Sequence, residues 1–292
     1  MNTNRYFSIS RLGLVMKRDL MENWNTNLYR FLGPYAAILF VMLVCYMNEM
    51  TNFKEFASII AGSFGCILFI GGSYYASYIM ETMNTQQKRI SFLMLPATSF
   101  EKFVVRGLYV TIGFFVLSII ALFLAEVTRY IFLPLFDMPD TFQQSTLPDV
   151  FARLNIFADT TSLTLSNTWP EEQYYSVLLG QICSLLYMGW MHSFYILGGC
   201  YWQKHAFWKT LGLMIVAYVL VLTVFVNVLM ELMENNWEKY FEELESIFGG
   251  LTINQSLTFF SVLFLVLIVL NWWLSYRCFT RSQVIKPKFR LL

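Results

Sequence analysis

Charge is what this sequence has least of. Asp, Glu, Lys and Arg make up 13% of its 292 residues, against roughly 25% in soluble domains. Six stretches contain none at all: 31–47, 57–80, 107–125, 176–203, 210–230 and 256–276. A charge at the centre of a bilayer costs at least about 2.5–3.5 kcal/mol and marks an ion or proton path where it occurs. Its absence from all six argues against an ion-coupled carrier. Histidine is nearly missing too. His192 and His205 have no Cys, Asp or Glu at metal-ligand spacing, which removes a zinc or haem site. The five cysteines lie in or beside apolar stretches without a CxxC pair, so neither a disulfide framework nor a metal cage is expected. No GxxxxGK followed by Ser or Thr, no GxSxG and no HExxH occurs, which excludes a phosphate loop, a serine-hydrolase elbow and a zinc-protease helix. We therefore expect a non-catalytic chain that binds no cofactor of its own. The basic termini lack interleaved aromatics, so nucleic acid is not an expected partner. Residues 1–30 hold no apolar core followed by a small-residue cleavage site, and a cleaved signal is not expected.

What is there is apolar length. A helix needs about 20 apolar residues to cross a hydrocarbon core of about 30 Å, and each stretch reaches or approaches that. The sequence predicts an all-α polytopic membrane protein with six transmembrane helices. The first stretch is the shortest, with Pro34 expected in its opening turn, where a missing N–H costs least. Assigning the connecting segments alternately to two sides sorts the charges. Sixteen of the 20 Lys and Arg residues fall with both termini, and 15 of the 19 acids fall opposite. Basic loops stay cytoplasmic, so the net charge of +1 conceals a polarity with N and C termini inside. The organisation is a cytoplasmic segment 1–30, a transmembrane domain 31–276 and a basic tail 277–292.

Three connecting segments are legible. Ile9, Leu12, Met16 and Leu20 line one side of a helix over 7–22, with Arg11 and Arg18 pointing away. Such a helix lies in the membrane surface among lipid headgroups or packs its stripe on a partner. In the loop 81–102, Lys88–Leu95 is stopped by Pro96, which disfavours helix at the residue before it. Thr98 or Ser99 then caps a new helix with Glu101 in its first turn. The loop is expected to present Phe92, Leu93 and Leu95 beside Lys88 and Arg89, a surface for docking a protein or for anchoring at the interface. In 231–250, Glu231, Glu234, Glu238, Glu242 and Glu245 form one face, with Trp237, Tyr240, Phe241, Leu244 and Phe248 on another, ended by Gly249-Gly250. That describes an interfacial helix on the acidic side or a lid over a pathway. The long connection 126–175 is expected to form short helices over the same surface. Small residues in the second and fourth stretches (Gly62, Gly65, Gly71, Gly72; Gly189, Gly198, Gly199) let helices approach closely.

This layout resembles the membrane permease family of ABC type-2 exporters over nearly the full length. The most specific likeness is Phe92-Leu-Met-Leu95-Pro96-Ala-Thr-Ser99-Phe-Glu101-Lys102, similar to that family's LLxLPxSxxExxxxK stretch, in a form like the divergent Bacteroidetes-type members. The resemblance implies a bacterial inner-membrane subunit acting as a homodimer or paired permease. Separate ABC ATPase subunits would hold ATP and magnesium. It further implies an elbow helix (Ile9, Arg11, Leu12, Met16, Arg18, Leu20) and an ATPase-docking coupling segment (Lys88, Arg89, Phe92, Leu93, Leu95, Pro96, Glu101, Lys102). The outer gate helix would include Glu234, Trp237, Glu238, Phe241 and Leu244. The alternative is a non-transporting membrane scaffold acting through its outer loop.

Overall fold

The computed structural model describes residues 7–48, 52–83, 85–135, 139–154, 163–164, 174–175, 177–202, 204–234 and 253–281. Trp237, Glu238, Phe241, Leu244, the parts 136–138, 155–162 and 165–173 of the 126–175 connection, and the tail beyond 281 lie outside the described residues. Eleven α-helices are described: α1 (Ile9–Glu22), α2 (Trp24–Met47), α3 (Phe53–Cys66), α4 (Gly72–Ala76), α5 (Gln86–Leu93), α6 (Ser99–Leu108), α7 (Phe114–Phe132), α8 (Leu147–Leu154), α9 (Val177–Tyr201), α10 (Ala206–Glu234) and α11 (Ile253–Thr280). Two strands of two residues each, β1 (Leu163–Thr164) and β2 (Tyr174–Tyr175), pair antiparallel between α8 and α9.

Among the described residues, five helical rods are long and apolar enough to cross a membrane: 24–47, 53–83, 99–135, 206–224 and 253–280. The chain is an all-helical, multi-pass membrane protein. α9 adds a 25-residue uncharged helix packed lengthwise on α11, its most extensive neighbour. The rods 53–83 and 99–135 each contain one wide π turn, at Ile67–Gly71 and Tyr109–Gly113. A π turn carries an extra residue and shifts the face presented beyond it without ending the helix.

The helix starts follow local chemistry. α3 opens at Asn52, whose side chain accepts from the Lys54 amide at 3.1 Å. α5 opens at Thr85, which accepts from the Lys88 amide. α6 opens at Thr98 in a full capping box with Glu101, as the sequence predicts. α2 departs from expectation. It begins at Trp24, seven residues before the apolar run, and one residue after α1. Pro34 therefore sits in the helix interior, where it withholds the amide that would bond the Arg30 carbonyl.

Two apolar clusters hold the rods together. One joins Ile38, Met42 and Tyr46 of α2 to Phe56, Ile60 and Phe64 of α3, Leu122 and Ala125 of α7, and Phe142 and Val150 of the loop beyond. The other joins Ile79, Met80 and Met83 to Phe92, Phe103, Tyr195, Ile196, Cys200 and Phe279. Between them Gly71 lies against the Phe114 ring, which meets Tyr75 at 4.8 Å between centroids. Lipid tails are as apolar as Leu, so these contacts hold by packing and hydrogen bonds. At Gly199 a Cβ would strike the Ser77 backbone carbonyl, at Gly198 it would strike the Thr210 hydroxyl, and nothing approaches Gly62 within 4 Å.

Gly199→Ala should lower stability by about 1–3 kcal/mol through overpacking. Gly62→Ala should be neutral or gain up to about 1 kcal/mol from helix propensity. Thermal unfolding of the two variants in one detergent compares them directly.

Candidate functional site

The polar residues of the α1 end converge on one seam beneath α1. Glu101 has 0% exposed surface. Its carboxylate accepts from the Thr98 amide at 2.8 Å, the Ser8 amide at 2.7 Å and Arg11 Nη2 at 3.0 Å. It thus caps its own helix and the start of α1 together. One turn on, Arg106 donates through Nε to the Ile79 carbonyl at 2.9 Å, through Nη2 to the Tyr78 carbonyl at 3.2 Å, and through Nη1 to Asp19 at 2.8 Å. Asp19 also accepts from Asn23 Nδ2 at 2.9 Å. Arg30 pairs with Glu81 and lies over the rings of Tyr75 and Tyr109. Arg89 donates to the Met83 carbonyl from both Nε and Nη2, and Lys102 Nζ donates to the Leu93 carbonyl at 2.7 Å. Nearer the surface, Arg18 bridges Glu22 and Ser91.

These bonds orient α1. Val15 and Asp19 are buried and Arg11, Leu12 and Arg18 half-buried, while Ile9 is 78% exposed and Met16 and Leu20 are exposed beside it. Ile9, Met16 and Leu20 share the outward face. Arg11 and Arg18 point away from that face, as the spacing predicts, and turn to Glu101, Glu22 and Ser91. A surface helix that ionically ties its polar face to the protein leaves its apolar face to lipid.

The 88–102 segment is split by burial. Phe92 is 6% exposed, with its ring edge-on to Phe279, and Arg89, Glu101 and Lys102 are also buried. Leu93 and Leu95 are half-buried against the second apolar cluster. The expectation that Phe92 projects beside Arg89 does not hold, because both face the bundle from one side of α5. Exposed on this segment are Ile90 and Met94 on one face, the latter 78% exposed, Lys88 on another, and then Pro96. Ile90 and Met94 were not anticipated. Their i, i+4 spacing after Gln86 is the signal that would have found them.

A second polar site escaped the sequence reading. At the opposite end of the 99–135 rod, Glu126 and Arg129 form a buried i, i+3 pair at 2.8 Å. Arg129 donates to the carbonyls of Phe142 and Gln144, each at 2.7 Å. Glu126 accepts from the Thr146 amide and hydroxyl, each at 2.8 Å. The guanidinium stacks 4.5 Å from the Tyr130 centroid. This pair pins the 139–150 loop across the bundle. Glu234 closes α10, and the rest of the expected gate helix lies outside the described residues. Among the described residues, no group of His, Cys, Asp and Glu is placed to hold a metal. No protein-family model, no curated protein and no solved structure matches this chain.

Removing one partner of a buried, hydrogen-bonded ion pair costs about 3–5 kcal/mol, since the other charge stays buried alone. Arg106→Met should lose that much and also expose α1 to proteolysis. Asp19→Asn combined with Arg106→Met should lose less than the two single losses added. Thermal unfolding and limited proteolysis of the full chain in detergent measure both effects.

Proposed function

We propose that the chain is the membrane-spanning permease subunit of an ATP-driven exporter of the ABC type-2 kind. In this reading α9 is the sixth span, both termini are cytoplasmic, and the membrane is the inner membrane of a bacterium. The observation that carries it is the break-and-restart element α5–α6. A short helix that exposes Ile90 and Met94 on one face and Lys88 on another, followed by exposed Pro96, stands at the foot of a rod that continues to residue 135. An apolar strip with one cation suits seating in a groove of a partner protein. The docking residues are therefore Lys88, Ile90, Met94 and Pro96, with Phe92, Arg89, Glu101 and Lys102 transmitting from inside.

The mechanism follows from rigidity. A push on α5 reaches α6 through Lys102, α1 through Glu101 and Arg106, and the end of the second rod through Arg106. Span 2, span 3 and the surface helix then tilt together. ATP and magnesium sit in the partner ATPase, and this chain supplies mechanical coupling. Two copies, or one copy and a related permease, enclose the pathway. A second reading, a scaffold acting through the outer loop, is favoured by the Glu126–Arg129 anchor, which fixes 139–150 on that face.

Full-length protein affinity-purified from its native membranes should bring down an ATPase chain and ATP hydrolysis. Ile90→Asp with Met94→Asp should remove both while membrane insertion is retained. Recovery of no ATPase, or full retention by the double variant, sinks the exporter reading. Replacing 155–173 with a short Gly/Ser linker spares the Arg129 anchor. A scaffold loses its partners in that variant, whereas an exporter keeps its ATPase.

A further inference from the structure

The outward face of α1 does not end in a smooth surface. It forms one wall of a groove of about 490 Å³ whose other wall is the 99–135 rod around its π turn. Met16, Leu20, Trp24 and Leu28 line one side and Ile112 the other, and all five are exposed in the absence of lipid. The lining is apolar apart from Asn27 and the hydroxyl-bearing ring of Tyr109. Asn27 lines the groove, is only 8% exposed, and has no partner for either its amide nitrogen or its amide oxygen. A buried amide left without partners is unfavourable, and such groups find a partner in the functioning molecule. Beside Met16, Lys17 is exposed on α1.

We infer that this groove is a binding site for an anionic glycerophospholipid. One acyl chain lies between α1–α2 and the 99–135 rod, an ester or hydroxyl of the glycerol meets the Asn27 amide, and the headgroup lies near Lys17. Each part answers a separate observation. The volume is within the range of ligand pockets, and the walls offer a chain no polar competition. The amide provides one donor and one acceptor, which glycerol esters and hydroxyls complement. A cation on a surface helix selects anionic headgroups. A water-soluble ligand gains nothing from walls that open to the hydrocarbon. The site depends only on the multi-pass membrane character of the chain, so it stands whether or not an ATPase partner exists.

The test uses the full chain in nanodiscs and a phosphatidylglycerol probe with a photoactivatable acyl chain, the labelled peptides being mapped by mass spectrometry. Segments 16–31 and 108–117 should label several-fold more than the lipid-facing 253–270 segment. A phosphatidylcholine version of the probe should label them several-fold less. Leu28→Trp with Ile112→Trp fills the groove and should reduce labelling there while leaving 253–270 unchanged. Asn27→Leu should raise the melting temperature of delipidated protein and shrink the further rise produced by adding phosphatidylglycerol. Equal labelling of groove and 253–270, or a lipid-induced rise undiminished in Asn27→Leu, overturns the assignment. So does chain-to-chain disulfide formation by Leu28→Cys in place of lipid labelling, which would put a second copy of the chain in the groove.

Discussion

A helix that unwinds near a membrane leaves carbonyls with no water to satisfy them, and the structure meets that problem at Tyr78 and Ile79. The second rod loses α-helical geometry after Ala76, and the carbonyls of Ile79 and of Tyr78, which also accepts from the Glu81 amide, are taken by one guanidinium from the neighbouring rod. An arginine is suited to this, because its planar fork serves several acceptors and never loses its charge. The charge then needs an anion in the same dry place. Asp19 on α1 provides it, which fixes where the surface helix lies and which face it turns outward. Helix end, rod–rod contact and the position of α1 thus reduce to one side chain.

The same solution recurs at the far end of the same rod. Arg129 takes two carbonyls of the 139–150 segment and is neutralised by Glu126 within its own helix. Arg106 and Arg129 are 23 residues apart, about 35 Å of helix, slightly more than a hydrocarbon core. The third rod therefore carries a cation at each margin of the apolar layer, each turned inward to the protein. The difference lies in the anion. One comes from another helix and couples two elements, while the other is local and holds its loop through the Thr146 amide and the Ser145 and Thr146 hydroxyls.

Spans and caps were legible in the sequence because they are local. Uncharged stretches of about 20 residues, the Pro96 break and the Thr98–Glu101 capping box each lie within one window of chain. The start of α2 was not, since Trp24–Arg30 is polar enough to read as a connection and becomes helical by stacking directly on α1. The inward side of α5 was also hidden. Eight residues are two turns, and the apolar positions Ile90, Phe92, Leu93 and Met94 spread around the helix, so composition does not choose the buried face; Phe279 and the Met83 carbonyl do. Charge sorting fixed the side expected for each loop yet hid the pairings, because Arg11 with Glu101 and Asp19 with Arg106 join positions 90 and 87 residues apart.

That separation sets an order of events during synthesis. The Ser8 amide and its acceptor Glu101 are 93 positions apart, and a ribosome adding about 5–20 residues per second takes roughly 5–20 s to cover the gap. Throughout that interval α1 has been made and its anchor has not. α1 thus precedes its own anchor, and the arrival of the third rod is what ends its wait.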